Sequence, residues 1–360
     1  MKAGSGCDRL QRMTSRPGSF HLCSSLDPAE CVFIVDSPRT VETVTALEKV
    51  LSIAVHRIPG RPEALSDVWI QDALEFGQIR TKDGWQSGVM LGLRAAHDQG
   101  INCQPMEAFL PGWLSGLMSS VQQIRVGEPL PKRRWIDWYG NLEVTPPLLG
   151  HPHGRIMYGQ QKELGFHPQA LKFLEDQAVQ WPPIIVDVSW LLIGHVDEAV
   201  AFVPADKGFK VLLPSPDAWL EATKSLSDNH KAFEERTNSP TIGELRAAAG
   251  NKENRLVQSA VEKIAAQMVK ECSLKSEDII SLPGLFEFGG AMTPSLVNGL
   301  MAEGKFIMTD PCSPAVRAYT AEKFKQTKAK PVFIPAWDGY HVRGGEVHCG
   351  TNALRKILRP

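Results

Sequence analysis

Neither charge is in excess in this sequence: 39 lysines and arginines face 40 aspartates and glutamates, a formal net charge of −1 over 360 residues. Attraction to phosphate backbones or anionic lipid needs clustered surplus lysine and arginine. Nucleic-acid and membrane partners are therefore not expected, and any recognition of charge has to be local. Long apolar runs are also missing. No window reaches the ~18 uncharged apolar residues of a membrane span. The first thirty residues lack the apolar run of ~7–15 residues that a secretory signal needs. The expected setting is intracellular and cytoplasmic, or that of a chain cut from a longer precursor. Paired cysteines are absent too. Cys7, Cys23, Cys31, Cys103, Cys272, Cys312 and Cys349 form an odd set without a C-x-x-C, which excludes a disulfide framework and a zinc ribbon.

With 43% hydrophobic residues, the chain can bury a sizeable core. No Ser/Gly linker or composition shift divides residues 31–360, so one domain is expected there, preceded by a loose arm over 1–30 that has no apolar period. CVFIVDS (31–37) reads as a buried strand, and Val44, Leu47 and Leu51 mark a helix over 40–53. The alternation recurs. IIVDV (184–188), AVAFV (199–203) and FKVLL (209–213) read as strands and DAWLEATKSL (217–226) as a helix. KFIMTD (305–310) and PVFIP (331–335) read as strands flanking a helix over 315–327. The longest helix is expected over 254–272, with Leu256, Ala260, Ile264 and Met268 on its buried face. The class is α/β, with two strands before a helix as a repeated unit. The stretch 102–138, with four prolines, three tryptophans and the cluster Lys132, Arg133 and Arg134, reads as a long surface insertion.

Four stretches place reactive side chains beside glycine turns or apolar strands: SDVWIQDALEFG (66–77), WYGNLEVTPP (138–147), IGHVDEAVAFVPA (193–205) and YHVRGGEVHCGTN (340–352). In extended chain His195 and Asp197 leave one face of a sheet. Cys349 stands among glycines, and a cysteine is a nucleophile only as thiolate, which a neighbouring cation or a cationic substrate favours. The bland reading of a lone cysteine is a small buried hydrophobe. By strand parity Gln71 and Glu75 face one way and Asp72 the other, and Glu143 adds another oxygen. Such residues suit a hard cation, a sink for a cationic substrate, or a charged surface turn.

Taken together in chain order, WIQD (69–72), GNLEV (140–144), GHVDE (194–198) with FVPA (202–205), and GEVHCGTN (345–352) resemble the catalytic domain of the protein-arginine deiminases, over about residues 30–360. That resemblance implies a pentein fold, an α/β propeller of five ββαβ modules in a single domain. It implies hydrolysis of peptidyl arginine to citrulline and ammonia, with Cys349 as nucleophile, His195 as acid and base, and Asp72 and Asp197 holding the guanidinium. Trp69 would line the slot, Arg343 would lie near the substrate backbone, and Arg94 is the nearest counterpart of a substrate-clamping arginine. It further implies a calcium site made by the side chains of Gln71, Glu75 and Glu143 with main-chain oxygens of Tyr139 and Leu142. A second calcium site is expected to be lost, since Ala73 stands where the family has an acid. The partners implied are arginine-containing proteins or peptides. Free arginine or agmatine as substrate, a non-catalytic binding role, and a Cys–His amide hydrolase are the rival readings.

Overall fold

A computed structural model describes residues 18–60, 67–82, 84–92, 94, 106–127, 134–234 and 236–356. Strands β1 (Phe20–Leu22) and β2 (Ala29–Asp36) lead into α1 (Val41–Val50) and β3 (Ala54–Pro59). The single turn α2 (Ile70–Ala73) runs into β4 (Leu74–Thr81), followed by β5 (Gly84–Leu91), α3 (Leu110–Leu117) and β6 (Gln122–Arg125). Next come β7 (Glu143–Val144), β8 (Ile156–Gln160), α4 (Pro168–Gln177) and β9 (Ile184–Asp187). After β10 (Ala201–Pro204) and β11 (Phe209–Ser215), three helices, α5 (Pro216–Thr223), α6 (Ile242–Gly250) and α7 (Lys252–Glu271), precede β12 (Ile279–Pro283). A small hairpin of β13 (Phe286–Glu287) and β14 (Gly290–Ala291) is followed by β15 (Leu300–Ala302), β16 (Lys305–Thr309), α8 (Pro314–Phe324), β17 (Lys330–Ile334) and β18 (Thr351–Arg355).

One pairing rule recurs in five sheets: an antiparallel pair is extended by a parallel strand. The sheets are β4-β5-β6, β7-β8-β9, β10-β11-β12, β15-β16-β17 and β18-β2-β3. A parallel neighbour cannot be reached by a hairpin, so in every sheet a helix lies between the second and third strands. The last sheet joins the two ends of the described chain, because β18 pairs with β2. Its strand β2 carries Val32, Phe33, Ile34 and Val35, all buried, which is the continuous apolar run of a strand covered on both faces.

Three expectations need correction. The arm does not extend to residue 30: β1 pairs antiparallel with β4, Phe20 opposite Ile79, and Phe20 and Leu22 are buried. Order is in place by residue 18. The stretch 102–138 is not an insertion as far as it is described, since it supplies α3 and β6, the helix and parallel strand of the second sheet. Leu110, Leu114 and Ile124 anchor it in the core. An eight-residue helix containing Pro111, Gly112 and Gly116 is too short and too broken to announce itself by period. On α7 the buried face is Val257, Val261, Ile264 and Met268, and Leu256 lies 60% exposed. The true stripe mixes steps of three and four, which a string of i+4 steps misses. Among the described residues no helix is long and apolar enough to cross a membrane.

The turn between β15 and β16 is tied to the end of α1 by one side chain. Glu303 accepts the N–H groups of Ser52 (2.8 Å) and Ile53 (3.2 Å) and the Ser52 hydroxyl, and also meets Lys305 Nζ at 3.2 Å. The bonds from Ser52 hold its carboxyl down at about 2, against an ordinary 4.5. A depressed carboxyl contributes stability that is complete above the unfolded value and is lost as pH falls through the folded one. Glu303→Gln is therefore expected to cost about 2 kcal/mol in urea unfolding near neutrality. The gap to the parent protein should close on acidification from 4.5 towards 2; a gap that stays constant with pH contradicts this account.

Candidate active site

Five of the side chains named from the sequence, joined by Asn298, gather where the first strands of the five sheets begin. Asp72 sits on α2, two residues before β4, and Glu143 opens β7. Asp197 and His195 precede β10, Asn298 precedes β15, and Cys349 lies two residues before β18. No one sheet holds the site.

Around Cys349 the backbone is fixed on both sides. Its N–H donates to Asn298 Oδ1 (3.2 Å), and its carbonyl accepts the N–H of Gln71, the neighbour of Asp72 (3.3 Å). The thiol lies 3.5 Å from Asp197 Oδ2. Glycine is required at 350, where a Cβ would fall 2.2 Å from the Tyr340 ring. Burial pushes the Cys349 thiol well up, and Asp197, Asp72 and Glu198 push it further, against a downward pull from the Glu346 backbone. At rest the group is a thiol, and an arriving cation would favour the thiolate.

His195 is set by its surroundings. Its Nε2 lies 2.8 Å from the Trp135 carbonyl, which can only accept, so Nε2 carries the proton in every state. That leaves Nδ1, 3.5 Å from Asp72 Oδ1, as the nitrogen free to gain or lose one. The expectation that His195 and Asp197 lie on a strand is corrected: Val196–Glu198 is a 3₁₀ turn. Glu198 accepts the His195 N–H (3.1 Å), and Asn141 Oδ1 accepts that of Val196 (3.0 Å), so these donors are spent away from any ladder. The parity argument for Gln71, Asp72 and Glu75 is corrected likewise. α2 intervenes, and Gln71 meets Glu75 across the helix–strand junction, Nε2 to Oε2 at 2.6 Å.

Negative charge dominates. Burial raises Asp72 to about 6, with Asp197 and Asp67 adding to it and His195 and Arg94 opposing. Oδ1 of Asp72 and Oδ1 of Asp197 are both buried without a hydrogen-bond partner. Unmet buried acceptors are costly, so both atoms are sites for a donor, and a cationic donor most of all.

Gln71, Glu75 and Glu143 border a cavity of about 20 Å³ together with His348 and Arg355. Burial raises Glu143 to about 6 and lifts Glu75 well above the glutamate range, each carboxyl adding to it or being relieved by His348. Among the described residues no cluster of three or more His, Cys, Asp and Glu side chains makes a metal centre. The expected set is of another kind, an amide and two carboxylates completed by main-chain oxygens, and its hard oxygens and crowded negative charge fit a calcium-like cation. The side chains of Tyr139 and Leu142 do not border the cavity. Tyr139 sends its hydroxyl to the Leu91 carbonyl, and its own carbonyl accepts the Leu142 N–H.

Arg94 does not stand open to a substrate. It is fully buried in an ion pair with Asp67 (3.1 Å) and stacks 5.3 Å over Trp138. Trp69 and Arg343 are together, the guanidinium 5.7 Å from the ring centre, and the Trp69 ring packs on the Gly345 backbone beside Cys349.

Two residues escaped the sequence reading although they lie inside its motifs. His348 bridges Asp197 Oδ2 (2.9 Å, from Nδ1) and Glu143 Oε1 (3.2 Å, from Nε2). Burial alone would lower it, but Glu143, Asp197 and Glu75 hold it up at about 9, so it is an imidazolium at neutral pH. Asn141 makes four buried hydrogen bonds. Its Oδ1 accepts from Gly159 (2.6 Å) and Val196, and its Nδ2 donates to the carbonyls of Ile136 (2.9 Å) and Gly159 (3.0 Å). It thus ties the Trp135 turn to the His195 turn. The glycine before it has a role as well: a Cβ at 140 would lie 2.5 Å from His195 Nδ1 and 2.9 Å from Asp72 Oδ1.

The family model described as protein-arginine deiminase matches residues 20–359. The chain belongs to that family. Mouse protein-arginine deiminase type-4 is 29% identical over 380 residues, covering 96% of this chain and 55% of that protein. Human type-3 is 32% identical over 327 residues, covering 82% and 47%. The chain spans about half the length of these relatives. Among solved structures, agmatine deiminases from Enterococcus faecalis (TM-score 0.57, 13% identity, 96% of this chain and 99% of that one) and C. jejuni (0.54, 11%, 94% and 97%) share the mixed α/β fold. The four motifs stand in one region, and Arg94 lies beside them over Trp138, its charge paired with Asp67.

Because Asn141 satisfies four partners that have no water to turn to, Asn141→Ala should lower unfolding free energy by about 3 kcal/mol or more. Asn141→Asp, which keeps the two acceptor bonds and loses the two donor bonds, should fall between. Equal stability of all three proteins in denaturant titration would refute the role given to this side chain.

Proposed function

We propose that this chain hydrolyses the guanidinium of arginine in proteins or peptides, giving citrulline and ammonia. The observation that carries the reading is the pair of buried oxygens without a hydrogen bond, Asp72 Oδ1 and Asp197 Oδ1, with the Cys349 thiol 3.5 Å from the other oxygen of Asp197. A guanidinium is a planar cation with N–H donors on several sides. Two carboxylates can orient its central carbon towards sulfur, and its charge opposes the carboxylates that keep the thiol protonated.

In the reaction so read, the Cys349 thiol passes its proton to Nδ1 of His195 as the guanidinium binds, and the thiolate attacks the guanidinium carbon and forms a C–S bond. His195 delivers the proton on Nδ1 to the departing nitrogen, the C–N bond breaks, and ammonia leaves. The carbon is then held as a thiouronium. Nδ1, now bare, takes a proton from water as the water oxygen attacks. The C–S bond breaks, the sulfur keeps the electron pair and takes the remaining hydroxyl proton, which restores the thiol, and the carbon leaves as a urea. Trp69 would flank the methylenes of the substrate and Arg343 its backbone. The names of the relatives favour polypeptide over free arginine. The fold counterpart of this reading is a five-module propeller, supported by the common strand order of the five sheets and by the pairing of β18 with β2. Gln71, Glu75 and Glu143 would hold one calcium ion, which supplies the positive charge that lets both glutamates ionise; His348 already shares Glu143.

Release of ammonia and of the ureido product from an N-acyl-arginine amide, from an arginine-containing peptide, from free arginine and from agmatine tests this, each with calcium and with a chelator. Turnover is expected on the two acylated substrates and to be greater with calcium. Cys349→Ser, Asp72→Asn and Asp197→Asn should each lose at least about a thousandfold. No ureido product from any substrate, or an Asp72→Asn variant that turns over normally, sinks the guanidine reading. Preference for agmatine or free arginine moves the substrate to the small-molecule class.

A further inference from the structure

The turn that carries Cys349 is held from outside by one side chain that no motif named. Asn298 is 1% exposed and lies in the segment leading into β15. It takes two successive N–H groups of the nucleophile's turn: its carbonyl accepts that of His348, and its Oδ1 accepts that of Cys349, both at 3.2 Å. The same segment is joined to the turn once more, where Ser295 N–H donates to Glu346 Oε1 (2.9 Å). Glu346 also accepts from His341 Nδ1 (2.8 Å), and its carbonyl takes the Gly350 N–H (3.1 Å).

The orientation of the Asn298 amide is dictated. Cys349 N–H can only donate, so Oδ1 must face it and Nδ2 must face away. There Nδ2 is buried with no hydrogen-bond partner. A buried donor left unmet counts against the folded state. A side chain kept for packing alone would shed that cost, since an apolar residue of similar size fills the same space. Asparagine at 298 is explained by what its oxygen does for Cys349.

We propose that Asn298 is the positioning residue of the nucleophile, fixing the Cys349 turn so that the thiol points at the carbon held by Asp72 and Asp197. The proposal rests on the reading of Cys349 as nucleophile, and deepens it. Asn298 touches no reacting atom. It acts through the amide of Cys349, and with the N–H of Gln71 on the Cys349 carbonyl it holds both backbone groups of that residue. A sulfur misplaced by about 1 Å reacts on the order of a hundredfold more slowly, whereas substrate binding, which falls to the two aspartates, is untouched.

The test compares Asn298→Ala, which removes the acceptor, with Asn298→Asp, which keeps one, in the full chain. On an N-acyl-arginine amide, Asn298→Ala is expected to lower kcat by about 30-fold or more with KM within about threefold. Asn298→Asp should recover at least about a fifth of the parent kcat. A second readout needs no substrate: the rate of Cys349 alkylation by iodoacetamide at a fixed pH, followed by mass spectrometry of the Cys349 peptide. It should change about tenfold in Asn298→Ala and much less in Asn298→Asp. Thus, if the chain proves not to act on arginine, the alkylation arm still decides this inference. Parent-like kcat and alkylation in Asn298→Ala overturn it. So does an Asn298→Asp protein that folds but matches the alanine variant in both readouts. Should the alanine variant fail to fold, the comparison of Asn298→Asp with the parent carries the test.

Discussion

Everything near Cys349 turns on one imbalance, the burial of more carboxylate than fixed cation. Asp72, Asp197, Glu198, Glu75 and Glu143 crowd the centre, and four of them are driven upward by burial and by one another. The positive charges among them are spoken for. Arg94 is paired with Asp67, and His348 is shared between Asp197 and Glu143. Buried carboxylate in such excess is costly, and a bound cation would offset part of that cost. The same field that suppresses the thiolate at rest is the field that a guanidinium would neutralise. In the proposed reaction, affinity for the substrate and activation of Cys349 would share one electrostatic origin.

His348 gives this arrangement its shape. Its two ring nitrogens hold Asp197 and Glu143 at fixed distances, so the acid beside Cys349 and the acid of the neighbouring cavity are joined through a single imidazolium. One oxygen of Asp197 is thereby spent on His348, and the other is left without a partner. Holding one lone-pair face of a carboxylate while leaving the other open is a way to aim it. Asn141 does the same for the backbone of the His195 turn, and Asn298 for that of Cys349.

The four reactive stretches were legible because short glycine-flanked motifs carry their chemistry in neighbouring residues. What was not legible was the local geometry. The period-2 parity of Gln71, Asp72 and Glu75 presumed a strand where a single helical turn stands, and four residues are too few for any period to declare itself. His195 and Asp197 converge through a 3₁₀ turn fixed by Glu198 and by Asn141, a residue 55 positions away from Val196. No local pattern encodes that contact. α3 and β6 were hidden because their burial comes from tertiary packing of Leu110, Leu114 and Ile124, against poor intrinsic propensity. Leu256 misled for a simpler reason, since an i+4 series drifts off the helix face that steps of three and four together follow. His348 and Asn141 were in plain view inside quoted motifs, but their roles depend on partners that only the folded chain supplies.

The distribution of the site over five sheets has a consequence for its behaviour. Each sheet delivers its contribution at the same point, the start of its first strand, and each contribution is short: an aspartate, a glutamate, a histidine–aspartate pair, an asparagine, a cysteine. Such a site has little local stability of its own and depends on every sheet being in place at once. Sheet-to-sheet ties therefore bear on it, whether outside the site, as with Glu303 on the Ser52 backbone, or at its edge, as with Arg355 on the carbonyls of Asp27 and Met301. Partial opening of any one sheet would move one member by more than the few tenths of an ångström that oriented attack tolerates. A site assembled this way depends on the whole fold, and a cation bound between its carboxylates would draw the five contributions together.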